Sequence, residues 1–325
     1  MTRVKTALQG CSPPSYRGDH MARRTALTSV SATAAVIGAA LVALSAPATA
    51  AATADTTPPA LTAPARGAFV PKSQISATEL DRYGDPTSTE LTMLAQWSAS
   101  DPSRICGYST REVFEEYATD WTPWSRQTRL TRDVSDYDDQ EGGGSLKFNG
   151  IDVRARDCAG NISTAYIDLQ PVVFQQDGRS YGYGNLTPPT TTGAWSTSSC
   201  ACWSAGTTLK SSAKGARLDF HLPAGLTPEK PATTTPLALV MERAPDRGKA
   251  RILVDGVQVA FIDTGSSTKL HRSVTWTGSV TAAVPHTISV VNVATSGRSR
   301  LDVDALLTNG IASMGQPLWS SSSAG

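Results

Sequence analysis

The sequence is short of the marks that announce an activity. It has no G-x-S-x-G elbow, no H-E-x-x-H helix and no glycine loop built to cradle phosphate. The usual hydrolase, zinc-peptidase and nucleotide-dependent sites therefore have no motif to stand on. Charge of one sign is missing too: 29 Lys and Arg face 28 Asp and Glu, and charged residues are only 18% of the chain. Without a basic stripe or an acidic block, nothing in the composition calls for nucleic acid or another polyelectrolyte. Long helix-forming runs are scarce, while Gly, Pro, Ser, Thr, Ala and Val abound, a balance that leans to all-β structure. Beyond residue 50 there is no apolar run long enough to span a membrane, and no anchoring tail is expected from the residues up to Gly325.

The N-terminus is where the apolar residues gather. Met21-Ala22-Arg23-Arg24 makes a short basic start, Ala32 to Ala46 is almost wholly apolar or small, and Ala48-Thr49-Ala50 fits the small-x-small cleavage rule. Residues 1–50 read as a signal peptide whose own start is Met21, with cleavage after Ala50. The expected product is secreted and extracellular, a monomer with no membrane span. Cleavage removes five Lys or Arg and one Asp, which takes the net charge from +1 to −3. Four cysteines follow, Cys106, Cys158, Cys200 and Cys202, an even number that suits two disulfides in an oxidising compartment. Two singletons and one C-x-C lack the paired spacing of a zinc site.

Residues 51–72, rich in Ala, Thr and Pro without periodicity, read as a flexible leader. Residues 73–170 read as the first domain. Leu91 to Trp97, Ile105 to Phe114, Trp121 to Leu130, Phe148 to Arg156 and Tyr166 to Leu169 carry strand character, with turn clusters between them. About seven short strands at such spacing predict an immunoglobulin-like sandwich with Trp97 in its core. Trp97-Ser98-Ala99-Ser100-Asp101, then Cys106-Gly107-Tyr108, then Val153-Arg154-Ala155-Arg156-Asp157-Cys158-Ala159-Gly160-Asn161 resemble the fibronectin type III or Ig-like modules of secreted actinobacterial proteins. The resemblance implies neighbouring strands that bring Cys106 beside Cys158, a link worth roughly 4 kcal/mol for a loop of about 50 residues.

Residues 171–192 read as a linker, and 193–311 as a second domain of eight or so antiparallel strands, a jelly roll, with 312–325 as a tail. Within it, Glu242 to Asp263 reads as a charged turn, a strand, an Asp255-Gly256 hairpin and a second strand marked by Val257, Val259 and Phe261. Gly193-Ala194-Trp195, Trp203-Ser204-Ala205-Gly206, Gly215 to Phe220, Arg243 to Ala250, Val254-Asp255-Gly256, His286-Thr287-Ile288 and Val303-Asp304-Ala305 occur in the order of a secreted jelly-roll module. That module is similar to the galactose-binding-like and carbohydrate-binding families appended to glycosidases. The resemblance implies a non-catalytic protein that binds an extracellular glycan or cell-envelope component. A protein–protein adhesion role and an unrecognised hydrolase are the alternatives.

Candidate site residues follow from chemistry. Trp121, Trp124, Tyr181 and Tyr183 are the aromatic faces on which a sugar could stack. Asp302 and Asp304 lie on the last strand, on one face opposite Leu301 and Val303, where related jelly rolls place a structural calcium; no other cofactor is expected. Asp136, Asp138, Asp139 and Glu141 read as a solvated loop with weak calcium capacity. Only His221, His271 and His286 follow the signal, and the one dyad that can be drawn is His271 with Asp263. Cys200-Ala201-Cys202 closes a small ring if oxidised.

Overall fold

The computed structural model describes residues 54–80, 86–114, 117–135, 148–176, 187–204, 206–224 and 234–309. Among these the chain is all-β, and no helix is long and apolar enough to cross a membrane. The first half runs through β1 (Ala60–Thr62), β2 (Ala68–Phe69), β3 (Ser76–Leu80), β4 (Pro86–Gln96), β5 (Ser98–Ser100), β6 (Ile105–Phe114), β7 (Arg129–Ser135), β8 (Phe148–Asp157) and β9 (Ile162–Asp168). One sheet joins β2, β3 and β7 to β4, and another has the order β6-β8-β9. Leu91, Met93 and Val134 from the first sheet meet Tyr108, Ile151, Val153 and Ile167 from the second, with Trp97 buried between them. Cys106 and Cys158 are disulfide-bonded across β6 and β8, with Cα atoms 4.9 Å apart.

The second half comprises β10 (Pro171–Gln175), β11 (Thr190–Thr192), β12 (Ser196–Ser199), β13 (Thr207–Ser211), β14 (Arg217–Leu222), β15 (Thr234–Arg243), β16 (Lys249–Val254), β17 (Val257–Asp263), β18 (Leu270–Thr281), β19 (His286–Asn292) and β20 (Leu301–Asn309). They form a jelly-roll sandwich of two antiparallel sheets. One has the order β12-β13-β20-β15-β18, with β10 also paired to β20; the other has the order β11-β14-β19-β16-β17. Asp255 and Gly256 join β16 to β17 with φ of 51° and 82°, the two positive angles of a type I′ hairpin turn. The Asp255 carboxylate then accepts the Thr287 amide at 2.8 Å and meets His286 Nδ1 at 2.7 Å, tying the turn to β19.

The central strands of the six-stranded sheet, β10, β15 and β20, are buried on both faces. Leu237, Leu239, Met241, Val172, Phe174 and Leu306 face the jelly-roll core. Their neighbours Ala238, Val240, Val173, Ala305, Leu307 and Val274 belong to the same core as Phe69, Ile75 and Trp97 of the first half. Continuous apolar runs such as Leu237–Met241 are what a strand covered on both sides requires. Backbone bonds complete the seam. Val274 N–H donates to Ser73 O at 2.9 Å, and Ile75 N–H to Arg272 O at 2.9 Å, so residues 72–75 lie along the edge of β18. Asn309 Nδ2 donates to Gly67 O and Asp168 O at 2.8 and 2.9 Å.

Three expectations change here. Residues 54–72 are not a loose leader: they carry β1 and β2, bury Phe69 and Arg66, and hydrogen-bond Gly67 N to Asp168 O at 2.8 Å. Low mean apolarity was a poor guide because a few well-placed residues, Leu61, Ala63 and Phe69, do the packing. The stretch 171–192, expected as a linker, opens with β10, every residue of which is buried, and closes with β11. The segment from Trp121 to Thr128 is held on β6 by isolated bonds, and the strand begins only at Arg129.

Because both halves share one core, they should unfold together. Leu307→Ala is expected to cost about 2–5 kcal/mol and to shift calorimetric and tryptophan-fluorescence transitions by the same amount. Two separate transitions would show that the halves fold independently.

Candidate functional site

Charge is concentrated in one buried node of the second half. Arg247, 2% exposed, reaches Glu242, Asp302 and, at 2.5 Å, Asp246. Asp302, fully buried, also takes Arg300, whose Nε and Nη2 lie 2.9 and 2.5 Å from its two oxygens. The second Glu242 oxygen meets His271 Nδ1 at 2.7 Å, and the His271 ring stands edge-on to Trp203 at 4.9 Å. A guanidinium fork can serve several carboxylates at once, which is how so many charges are buried together. Hydrogen bonding to the Asp302 carboxylate raises Arg300 above the usual arginine range.

Asp304 has no guanidinium bonded to it among the described residues. The ladder pairs Val240 with Ala305 and Met241 with Val303, so Asp304 is the extra residue of a β-bulge in β20. The bulge exchanges the strand's faces: Leu301 and Val303 point to the jelly-roll core, whereas Ala305 and Leu307 point to the first half. Asp304 sits where β10 gives way to β13 along β20. Its Oδ1 accepts the Ser204 hydroxyl at 2.9 Å, and the Ser204 Oγ lies 3.1 Å from Gln175 Oε1. Burial pushes the Asp304 carboxyl up to about 7, against the opposing pull of the Ser204 bonds. Asp302 and Asp304 were expected as a calcium pair; the structure gives the first two guanidinium partners and the second a serine.

Trp121 and Trp124 do not stand free. Arg111 and Arg154 lie 4.7 and 4.3 Å from the Trp121 ring centroid, and Arg154 and Arg156 lie 4.6 and 4.5 Å from that of Trp124. Arg154 and Arg156 alternate along β8, and Arg111 comes from β6, which pairs with it. The register opposes Gly107 to Arg156, and a Cβ on Gly107 would lie 3.5 Å from the Trp124 Cβ and 3.2 Å from Ser125 O. Glycine there lets the tryptophan segment lie close on the strand. The result is a ladder of three guanidiniums and two indoles, held by cation–π attraction. Tyr181 and Tyr183, and the acidic run at Asp136 to Glu141, fall outside the described residues.

The second face of the five-stranded sheet is covered at its centre, where Val291 and Ser289 are buried, and open at its edge. Register places Thr192, Arg217, Val291, Arg251 and Phe261 in one cross-strand row, and Thr190, Asp219, Ser289, Leu253 and Gln258 in the next. The edge strand β17 leaves Val257 68%, Val259 50% and Phe261 53% exposed. Ala260 and Ile262 pack against the core instead. The ladder shifts register between Ile252 and Leu253 and leaves Val259 without a partner, so the outward row takes Phe261 and then Gln258, while Val257 lies opposite Val254. Lys249 stands over the Phe261 ring at 5.8 Å.

His271 is not brought to Asp263. Asp263 is held by Arg298 through two contacts of 3.0 Å, and its carboxyl sits below the usual range, Arg298 being the largest cause. His221 and His286 hydrogen-bond Thr190 and Thr281 at 3.0 Å. Cys200 and Cys202 are disulfide-bonded. One grouping escaped the sequence reading: Asp55, Asp101 and Asp157 converge so that a hard cation could be shared among them. Their separation along the chain hid them, and the placement of Asp55 outside the first domain removed the remaining signal.

Two outcomes follow for the buried charges. Arg247→Met should cost about 3–5 kcal/mol, since it leaves the buried Glu242 without its guanidinium and Asp302 with Arg300 alone; denaturant midpoints measure this. For Asp304, the folded value of about 7 stands above an unfolded value near 3.9. The folded chain therefore holds the extra proton between them, and stability falls as pH rises from about 4 to about 7. Asp304→Asn should remove that fall, a slope of up to about 1.4 kcal/mol per pH unit, in unfolding curves taken across this range.

No family model matches this chain, and no curated protein does. Solved structures similar to part of it include a family 35 carbohydrate-binding module from Clostridium thermocellum, at 14% identity and TM-score 0.31, covering 43% of this chain and 98% of that one. The CBM36-1 domain of a multidomain xylanase from the hindgut metagenome of Trinervitermes trinervoides is similar at 11% identity and TM-score 0.27, covering 44% and 98%. An exo-β-1,3-galactanase from Phanerochaete chrysosporium covers 74% of this chain and 56% of its own, at 10% identity and TM-score 0.31. Likenesses this distant carry no argument about ligand or activity.

Proposed function

We propose that this chain is a secreted, non-catalytic protein that binds an extracellular glycan or cell-envelope polysaccharide at the open edge strand of its five-stranded sheet. The observation that carries the reading is the exposed edge strand β17, where the Phe261 ring stands beside Lys249 and Arg251. The C–H face of a sugar packs on an exposed ring, while charged and hydroxyl groups alongside orient its hydroxyls, the mix a ligand surface needs. The order of motifs from Gly193 to Ala305 supports the same function by resemblance. The signal-like N-terminus and the two disulfides support an extracellular location. The first half acts as a rigid base, since it shares a core with the binding half.

Retention of the full chain on a panel of neutral polysaccharides tests this. Phe261→Ala removes an exposed ring, so the fold should hold within about 0.5 kcal/mol, while retention should weaken by about tenfold. Absence of retention on every polysaccharide, together with capture of a protein partner, would establish adhesion instead. Product release from a glycoside and ester panel, abolished by His271→Ala, would establish a hydrolase.

A further inference from the structure

The ladder on the first half holds more positive charge than it neutralises. Arg111 is satisfied: its Nε and Nη2 both lie 2.8 Å from Asp152 Oδ2. Arg154 and Arg156 have no carboxylate and no hydrogen-bond acceptor among the described residues; their contacts are with the indoles. The Arg154 Nε is buried without a partner. Burial and the two neighbouring arginines hold the Arg154 guanidinium below its usual range. Like charges held together in this way are relieved by an anion.

From this geometry we infer that the ladder is a second binding strip, one that takes the carboxylates of an acidic polysaccharide. A guanidinium presents a planar fork that matches a carboxylate in two parallel bonds. Arg154 and Arg156 are two residues apart on β8, so their forks repeat at about 7 Å, and a uronate polymer can offer successive carboxylates to both. Across the ladder, β9 sets Thr164 opposite Arg154 and Ile162 opposite Arg156. Ile162 is 45% exposed. A hydroxyl and an apolar side chain therefore flank the charges where a sugar would lie. Single-stranded nucleic acid is the poorer fit, because base stacking needs open aromatic faces and each indole here has two guanidiniums over it. The strip stands independently of the β17 surface.

The test is affinity electrophoresis of the full chain in polygalacturonate, in a neutral glucan and in oligo-dT, at low and high salt. Polygalacturonate should retard the chain at low salt and release it at high salt. Arg154→Gln with Arg156→Gln should weaken this at least tenfold and leave neutral-glycan retention unchanged. Phe261→Ala should do the opposite, which separates failure of this strip from failure of the β17 surface. Asp152→Asn frees the Arg111 guanidinium and should tighten polygalacturonate binding several-fold, a gain that mere destabilisation cannot produce. Equal binding of oligo-dT, or no response to both the double variant and Asp152→Asn, would overturn the assignment.

Discussion

Everything in this molecule leans on one sheet whose central strands have no wet face. The strands β10, β15 and β20 send alternate side chains into two different cores, so both sandwiches are built on a shared wall. Burying a Val or Leu side chain is worth roughly 1.5–3 kcal/mol, and the first-half face of this wall alone includes Val173, Val240, Val274 and Leu307. Such a wall cannot be opened without exposing a contiguous apolar patch. The polar groups at its margins are arranged accordingly, with Asn309 donating to two carbonyls and Arg66 Nη1 to Thr235 Oγ1 at 2.9 Å.

The wall also accounts for the buried charges. A strand covered on both sides has nowhere to put an aspartate except against a partner, and β20 carries two of them. Asp302 is met by Arg247 and Arg300, and Asp304 is turned out of register by a bulge and met by Ser204. The dense charges of Glu242 to Arg247 belong to this arrangement and are structural. The two surfaces proposed for binding lie elsewhere, away from the wall: the edge strand β17 of the five-stranded sheet and the guanidinium–indole ladder of β6 and β8.

Much of the strand content could be read directly. Ile105 to Phe114 forms the strand the sequence indicates, and Asp255-Gly256 makes the expected turn, because both signals are local. The segment 171–175 was missed for a physical reason: Pro171-Val172-Val173-Phe174 is apolar without alternation, and taken alone it shows no period. The face of β17 could not be chosen from the sequence, since Val257, Val259 and Phe261 compete with Ala260 and Ile262 and both parities are apolar. Trp121 and Trp124 were legible as aromatic candidates, but the arginines that cover them come from strands that fold beside them.

By itself, then, the chain's order of residues determined the all-β class, the turns and the strand periods. These depend on neighbours one to a few positions apart, where backbone sterics and side-chain alternation act. Tertiary structure decided that two sandwiches share a wall, that Arg247 is an interior cation, and that Arg111, Arg154 and Arg156 become one charged strip. Each of these depends on strands distant in sequence being placed side by side, and no local rule contains that distance.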